Sequence, residues 1–481
     1  MPKPSPYPLR PLPGRIHFCG VCGRAMGGVA AALSGRKGVQ ISGSDMGAHA
    51  PMDAVLRESG VRLQTTYDKR NLRGPIDLVV AGPVILRQHI EIMEALRKRI
   101  PVISLPRFLQ EYFLRESRNV VVAGTNGKTT TTAMLVHILR SAGRDPDYLI
   151  GGMPRDGTPP ARWEGAPLAV LEGDEFSSGF GDLNPKMLHY RPNVAVLTNV
   201  CWDHPEIYRT ERELRVAFSV FLQLLPPDGL LVFNGDDPIS SRKIVPWAPC
   251  PKVEAGFGRA CQHRLERFKA RAAGCEFEFL GKPFALPLMG KMNGLNAALA
   301  TLAARHLGVS LTKIRQALES FQGVQGRQDI RIESPGLVHV SDEAYHPDAL
   351  RALIGALKGR YPRRRILVCL QPRSTGGRGG FQEKELPAGL AGADVVLLSD
   401  ARDPMPHNQP GKMFRPGLVV QALRKRKVIV RAVGPAQNLG PVLLQIAKRG
   451  DLVLTSLKMH QPEAEASLLS ALEQLKMRWQ S

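Results

Sequence analysis

Short apolar runs recur along the whole chain, and most are followed by a glycine-rich or polar turn and then by a segment with helical spacing. The clearest runs occupy residues 16–19, 78–82, 119–123, 194–198 and 366–370. Strands of a buried parallel sheet form near-continuous apolar runs, and alternation of strand and helix is typical of α/β folds. The pattern therefore predicts parallel sheets covered by helices throughout.

Breaks in this pattern predict several domains, because 481 residues exceed what one hydrophobic core usually supports. A strand near Val102–Ser104 closes the first group of strands, and Phe321–Gly326 has the composition of a linker. A strand-rich insertion is expected at residues 252–290. We expect a disordered, Pro-rich lead-in over residues 1–14, a Rossmann-like domain over 15–115, a central domain over 116–323 and a Rossmann-like C-terminal domain over 324–481.

The central domain begins with an apolar strand that runs directly into the segment GTNGKT, residues 124–129, before a helix predicted over 130–140. Glycines let the backbone approach an anion closely, and the N–H groups at a helix start point toward it. Lys128 supplies a positive charge for the β- and γ-phosphates, and the Thr129 hydroxyl is positioned for Mg²⁺. The segment predicts a P-loop that binds ATP together with Mg²⁺.

Polar side chains that could hold the metal follow two neighbouring strands. Glu172 and Glu175 close the apolar run at 168–172, and His204 follows the run at 194–198. In an open parallel sheet, ligands collect at the carboxyl ends of the strands, where the P-loop also lies. We therefore expect these side chains beside the phosphates.

These segments and four later ones together resemble the Mur ligase family, with similar order and spacing over nearly the whole chain. The segments are GTNGKTT from Gly124, EGDE from Glu172, TNVCWDH from Thr198, GKMNGLN from Gly290, GRQD from Gly326, DEAYHP from Asp342 and LQPRS from Leu370. The chain departs from the family pattern at five places. Met292 and Tyr345 stand where a His is usual, Gln328 where an Arg is common, and Glu343 where an aromatic residue is usual. The segment from Thr455 to His460 lacks the glycines expected there.

The resemblance implies three domains and a ligase that forms an amide bond through an acyl phosphate, at the expense of ATP. The expected carboxylate is that of UDP-N-acetylmuramate, in peptidoglycan recycling. The expected acceptor is the tripeptide L-alanyl-γ-D-glutamyl-meso-diaminopimelate. L-Alanine is the alternative acceptor, and a diverged Mur-like ATP-binding protein with another acceptor is a further alternative.

The resemblance also implies roles for individual residues. The residues expected to act in catalysis are Lys128, Glu172, His204, Arg327 and His346. Those expected at the nucleotide are Gly124, Thr125, Asn126, Gly127, Lys128, Thr129, Thr130, Asn293, Asn296, Arg327 and Asp342. Thr129, Glu172 and His204 would hold metal. Substrate contacts are expected from Gly20, Gly23, Ser44, Asp45, Glu175, Arg373 and Ser374.

The net charge of +22 permits a second class, a basic P-loop protein that binds nucleic acid. Only 6% of residues are aromatic and no nucleic-acid module is recognisable, so nucleic acid is not expected as a partner. Basic runs at residues 97–99, 363–365 and 424–427 each follow a helix-like segment, where the helix dipole favours cations. Alternatively, the net positive charge produces a long-range electrostatic field that concentrates anionic nucleotides near the protein.

The cysteines, the first glycine-rich turn and the lengths of the apolar runs limit which other classes of protein the sequence permits. Seven scattered cysteines predict no disulfide framework, and Cys19 and Cys22 form a CxxC pair without a second pair at zinc-ribbon spacing. Gly20, Gly23 and Asp45 also permit a nicotinamide dehydrogenase, but that class does not explain Lys128. The chain has neither a secretory signal nor an apolar run of membrane-spanning length, so we expect a cytoplasmic protein, a monomer or weak dimer, with no membrane partner.

Overall fold

A computed structural model describes residues 10–47, 50–205, 207–372, 381–401, 414–457 and 462–479. It confirms the predicted three-domain α/β architecture, in which three largely parallel sheets follow one another along the chain. Each sheet has apolar strands that are buried on both faces, as the continuous apolar runs predict.

The N-terminal domain is a five-stranded parallel sheet in the order β3-β2-β1-β4-β5. Its elements are β1 Arg15–Cys19, α1 Arg24–Ser34, β2 Gln40–Ser44, α2 Met52–Glu58, β3 Arg62–Gln64, β4 Leu78–Ala81, α3 Ile90–Arg97, β5 Val102–Ser104 and α4 Leu105–Tyr112. The central strand β1 has one exposed residue at its start and is buried from Ile16 onward.

The central domain is an eight-stranded sheet in the order β15-β14-β13-β12-β6-β9-β7-β8, with a separate antiparallel sheet β16-β17-β18 and a hairpin β10-β11. Its strands are β6 Arg118–Ala123, β7 Asp147–Leu149, β8 Ala161–Arg162, β9 Leu168–Gly173, β10 Ser177–Gly179, β11 Asp182–Pro185, β12 Val194–Leu197, β13 Leu230–Asn234, β14 Lys252–Gly256, β15 His263–Arg264, β16 Glu266–Arg271, β17 Gly274–Phe279 and β18 Lys282–Leu286. Its helices are α5 Lys128–Ser141, α6 Glu211–Gln223, α7 Lys291–His306 and α8 Leu311–Glu319.

The region 252–290 is rich in strands, as predicted, but only its later part stands apart from the main sheet. β14 pairs in parallel with β13, and β15 pairs with β14, so both strands extend the central sheet at its edge. The separate antiparallel sheet begins at Glu266. The sequence pattern missed this division because an edge strand and an inserted strand have the same composition.

The C-terminal domain is a six-stranded sheet in the order β19-β20-β24-β21-β22-β23, parallel except for the pair β19-β20. Its elements are β19 Asp329–Glu333, β20 Leu337–Ser341, α9 Pro347–Arg360, β21 Ile366–Leu370, α10 Phe381–Leu390, β22 Val395–Ser399, α11 Pro416–Lys425, β23 Ile429–Gly434, α12 Leu439–Ile446, β24 Asp451–Ser456 and α13 Pro462–Trp479.

Strand order in the central sheet decides where the polar residues meet. β6 pairs in parallel with β9 on one side and with β12 on the other, so Ala123 lies opposite both Gly173 and Leu197. The three strands therefore end side by side at one edge of the sheet. This edge carries the P-loop after β6 and polar side chains after β9 and β12.

The basic runs lie where helices end. α3 ends at Arg97 and α11 ends at Lys425. Lys98 donates a hydrogen bond to the carbonyl of Leu72 at 2.8 Å, and Arg365 pairs with Asp451 at 2.7 Å. These contacts support the structural reading of the runs. Among the described helices, none is long and apolar enough to cross a membrane.

Helix α6 shows how local sequence builds the core of the central domain. Thr210 caps it by accepting a hydrogen bond from the Glu213 N–H at 3.3 Å. Leu214, Phe218, Phe221 and Leu222, spaced at helical intervals, are fully buried.

We expect Phe218→Ala to lower the free energy of unfolding by about 3–5 kcal/mol, because it leaves a cavity where a fully buried ring packs. Val216→Ala is the matched control, since Val216 lies on the same helix and is 54% exposed. Urea unfolding followed by circular dichroism measures both. Equal losses in the two variants would contradict the assigned packing of α6.

Candidate active site

The P-loop is held in a conformation that only glycine tolerates at two positions. Gly124 and Gly127 have φ angles of +133° and +87°. A Cβ atom on Gly127 would lie 2.6 Å from Oδ1 of Asn296, and one on Gly124 would lie 2.7 Å from the carbonyl oxygen of Asn199. The Asn126 N–H donates to Oδ1 of Asn199 at 3.1 Å. Because α5 begins directly after Gly127, its free N–H groups point into the loop.

Lys128 is buried among carboxylates. Its Nζ donates to Oε2 of Glu175 at 2.6 Å and to the carbonyl of Thr125 at 3.3 Å, and lies 3.9 Å from Oδ1 of Asp174. Burial opposes the charge of Lys128, but Glu175 and Asp174 outweigh it and raise its pKa. Burial also raises the pKa of Glu175, in spite of Lys128. The lysine therefore stays charged at the floor of the site.

The carboxylate of Glu172 is fixed by two donors. The Thr129 hydroxyl donates to Oε1 at 2.9 Å, and the Gly151 N–H donates to Oε2 at 2.8 Å. The predicted metal ligands Thr129 and Glu172 are therefore in direct contact, although they come from different elements.

A second group of possible metal ligands lies nearby. One ligand atom each from Glu175, Asp203 and His204 lies within 4.8 Å of the others. His204 has a φ of +56°, in the left-handed region that a non-glycine residue adopts only under local constraint. The Phe176 ring meets the His204 ring edge to face, with centroids 5.0 Å apart.

Helix α7 presents two asparagines to the opposite side of the loop. Asn293 donates to the carbonyl of Met289 at 2.9 Å, and Asn296 donates to Oδ1 of Asn293 at 3.2 Å. Both side chains are largely buried. Their mutual contact orders the amide groups that the sequence predicts at the base of the nucleotide.

The C-terminal domain contributes residues from the end of β20 and the start of α9. Asp342 accepts hydrogen bonds from the Gln328 N–H at 2.8 Å and the Ala344 N–H at 2.7 Å. Burial raises the pKa of Asp342, in opposition to Arg327. His346 caps α9 and contacts the carbonyl of Trp202 at 3.3 Å.

Two residues at which the chain departs from the family pattern join the domains. The Tyr345 hydroxyl donates to Asp203 of the central domain. Glu343 accepts a hydrogen bond from Arg327 at 2.7 Å and pairs with Arg24, which begins α1 of the N-terminal domain. The two arginines lower the pKa of Glu343 against the effect of burial. Glu343 thus connects the N-terminal and C-terminal domains, and Tyr345 connects the C-terminal and central domains.

A cavity of about 670 Å³ lies between the central and C-terminal domains. It brings together most of the predicted nucleotide, catalytic and metal residues. The predicted residues in its wall are Thr125, Asn126, Gly127, Lys128, Thr129, Thr130, Glu172, His204, Asn293, Asn296, Arg327, Asp342 and His346. Gly124 lies at the base of the loop, and Glu175, predicted to contact substrate, is 1% exposed and lies against Lys128.

The other residues predicted to contact substrate lie in the N-terminal domain or outside the residues that the structure describes. Gly20 has a φ of +83°, and Asp45 accepts from the Cys22 N–H at 2.8 Å, so the Gly20–Gly23 turn and Asp45 form one unit. The Ser44 hydroxyl, predicted to reach substrate, is fully buried and donates to Glu91 at 2.6 Å. Arg373 and Ser374 lie outside the described residues.

The sequence analysis did not predict the cavity residues at the end of a third strand, β13. Asn234, the last residue of β13, and Asp236 and Asp237 just after it also line the cavity. Asp237 accepts from the Val200 N–H at 2.8 Å and so supports the loop after β12. The same rule that identified Glu172 and His204, polar residues at the end of an apolar strand, would have found them.

Comparison with known families covers both of the first two domains. The Mur ligase family catalytic domain matches residues 15–116, and the Mur ligase middle domain matches residues 122–304. The chain is 31% identical to the UDP-N-acetylmuramate–L-alanyl-γ-D-glutamyl-meso-2,6-diaminoheptandioate ligase of Escherichia coli strain K12, over 80% of this chain and 84% of the relative.

Two further similarities extend over more of the chain. It is 33% identical to the UDP-N-acetylmuramate–L-alanine ligase of Rubrobacter xylanophilus, over 92% of this chain and 96% of the relative. The crystal structure of the UDP-N-acetylmuramate–alanine ligase of Thermotoga maritima superposes with a TM-score of 0.76 at 24% identity, covering 96% of this chain and 99% of that one. The last similarity establishes the shared fold.

We expect Glu343→Gln to lower the free energy of unfolding by about 1–3 kcal/mol, because two arginines lose their counter-charge. The expected loss is less than for a fully buried pair, since the Arg24, Glu343 and Arg327 side chains are 17%, 23% and 33% exposed.

The control is Glu276→Gln, which removes an ion pair to Arg271 in which both side chains are 48% exposed. Its expected loss is much smaller than that of Glu343→Gln, because solvent screens an exposed ion pair. Urea titration compares the two variants, and an equally small loss in both would mean that Glu343 does not hold the domains together.

Proposed function

Since the chain belongs to the Mur ligase family, whose members are ATP-dependent amide-bond-forming ligases, we propose that it joins the carboxylate of UDP-N-acetylmuramate to the amine of a murein tripeptide. One observation carries the proposal. The P-loop, the Glu172 carboxylate, the asparagines of α7 and the Arg327–Asp342 segment converge on a single cavity between two domains. Such a cleft suits a nucleotide that is enclosed when domains close.

The relatives of this chain differ in the acceptor that their names give. The E. coli relative is named for a ligase that uses the peptide L-alanyl-γ-D-glutamyl-meso-2,6-diaminoheptandioate, and the R. xylanophilus relative is named for one that uses L-alanine, at similar identity. We favour the tripeptide because two segments of this chain, Phe180–Pro192 and Pro372–Ser374, resemble the murein tripeptide ligase. L-Alanine stays the alternative.

The reaction consists of two displacements. A carboxylate oxygen of the sugar attacks the γ-phosphorus of ATP, and ADP leaves with the bridging oxygen. The acceptor amine then attacks the acyl carbon, loses a proton and displaces inorganic phosphate. Both steps depend on position and on stabilisation of charge on the phosphoryl oxygens.

Lys128 is suited to stabilise this charge. An ammonium group has three donors, and Glu175 and the Thr125 carbonyl take two of them. The third is available to a phosphoryl oxygen. Arg327, at the hinge between the domains, is suited to contact the phosphates from the other side of the cavity.

The donor set fits Mg²⁺. The hydroxyl of Thr129 and the carboxylate of Glu172 are hard oxygen ligands in mutual contact, and they would hold one ion. Oε1 of Glu175 is buried without a hydrogen-bond partner among the described residues, which suits a second ion held with His204. Bound Mg²⁺ would neutralise charge on the phosphates.

We expect phosphate release from ATP to require both UDP-N-acetylmuramate and an acceptor, and to be about tenfold or more faster with the tripeptide than with L-alanine. A coupled phosphate assay at saturating ATP, with each substrate omitted in turn, measures this. Release without the nucleotide sugar would contradict the ligase assignment. Faster release with L-alanine would contradict only the tripeptide.

We expect Lys128→Met to reduce phosphate release by about 100-fold or more, because it removes a buried charge that faces the phosphates. Lys282→Met, an exposed lysine on β18, is the matched control and should keep full activity. Circular dichroism checks that both variants are folded. A Lys128→Met protein with more than a tenth of the activity would exclude Lys128 from the phosphate site.

A further inference from the structure

A buried polar cluster lies beneath the first glycine-rich turn, outside the ATP cavity. Cys19 ends β1, and its Sγ donates to Oε2 of Glu91 at 3.0 Å and lies 3.6 Å from Nδ1 of His89. Cys19 and Glu91 are fully buried, and His89 is partly buried. One ligand atom from each of the three residues lies within 4.8 Å of the others.

The charge of Glu91 has no strong partner. Its carboxylate accepts from neutral groups, including the Ser44 hydroxyl at 2.6 Å and the Asn71 amide at 2.7 Å. Nε2 of His17 lies 3.5 Å away, but in the part of the chain that the structure describes no lysine or arginine pairs with Glu91. A buried anion of this kind is costly without a cation.

His89 is also poorly satisfied. Its Nδ1 makes the long contact to Cys19, and its Nε2 is buried with no hydrogen-bond partner among the described residues. The half-buried ring thus turns its Nδ1, which makes only this long contact, toward Cys19.

We propose that Cys19, His89 and Glu91 bind one Zn²⁺ ion. Thiolate, imidazole and carboxylate together are zinc ligands, and the thiolate disfavours Mg²⁺. Zinc bonds of about 2.3 Å to sulfur and 2.0–2.1 Å to nitrogen, at a tetrahedral angle, place the two ligand atoms about 3.5 Å apart. The Cys19–His89 distance is 3.6 Å.

Binding replaces one buried hydrogen bond by metal bonds. The Cys19 thiol releases its proton to solvent as the sulfur–zinc bond forms, and Glu91 exchanges the thiol donor for the ion. Two anionic ligands and one divalent cation leave the buried group neutral. The Ser44 and Asn71 hydrogen bonds then hold the Glu91 ligand in place.

The position of the ion gives it a structural role. Cys19 directly precedes the Gly20–Gly23 turn, while His89 caps α3 and Glu91 lies in its first turn. Zinc would therefore fix the turn at the end of β1 to the start of α3. The CxxC spacing is not the basis of the site, because Sγ of Cys22 instead contacts the carbonyl of Gly47 at 3.8 Å.

The test uses the full-length protein and metal alone. We expect elemental analysis to find about one zinc per chain, and replacement by Co²⁺ to give a thiolate-to-cobalt charge-transfer band. Cys19→Ser and His89→Gln should lose the band and bind zinc about 100-fold more weakly or worse, whereas Cys22→Ser in the same turn should bind as the natural protein does. Zinc should also raise the unfolding temperature of the natural protein and of Cys22→Ser, but not of the two ligand variants.

His89→Gln keeps the proposal testable if Cys19→Ser does not fold, because His89 lies outside the fully buried core. Less than about a tenth of a zinc per chain in the natural protein after incubation with excess zinc would overturn the proposal. So would unchanged binding in a folded ligand variant, or loss of binding in Cys22→Ser. None of these readouts depends on ligase activity.

Discussion

The buried positive charge of Lys128 organises the central part of the molecule. A lysine at this depth is stable only because Glu175 and Asp174 lie beside it, and these carboxylates in turn need the lysine. Lys186 pairs with Asp174 at 2.7 Å on its other side, so the charges form a chain rather than an isolated pair. The Tyr208 hydroxyl donates to the Glu175 carbonyl at 2.6 Å and fixes the backbone of that residue. The P-loop, the strand end of β9 and the segment after β12 are therefore held in one arrangement.

Much of this could be predicted from sequence because the chemistry is local to strand ends. The run 119–123 and the glycines after it identify the P-loop, and parallel pairing of β6 with β9 and β12 brings Glu172 and His204 to it. What sequence does not give is which carboxylate faces which cation. Glu175 is assigned to substrate by resemblance, whereas its burial against Lys128 follows from a backbone path that no periodicity encodes.

Contacts between segments that are distant in sequence also could not be predicted. Arg24, Glu343 and Arg327 belong to three separate segments, and Glu343 and Arg24 are 319 positions apart. Cys19 and Glu91, 72 positions apart, meet only because β4 lies between β1 and β5 and α3 returns over the sheet. Such pairs are set by the packing of whole elements. The pattern of a single segment therefore identifies the residue but not its partner.

The ion pairs of Glu343 connect the wall of the nucleotide cavity with the N-terminal domain. One carboxylate pairs with two guanidinium groups, and Asp342 is a further carboxylate close to Arg327. A phosphate that draws Arg327 toward the cavity leaves Glu343 with Arg24 as its partner, and no charge is stranded. The contact between the N-terminal and C-terminal domains would then persist while Arg327 changes partner. An aromatic residue at position 343 would not allow this exchange, because it could pair with neither arginine through a full charge. At position 343, where the chain departs from the family pattern, the carboxylate thus pairs with Arg24 at the start of α1.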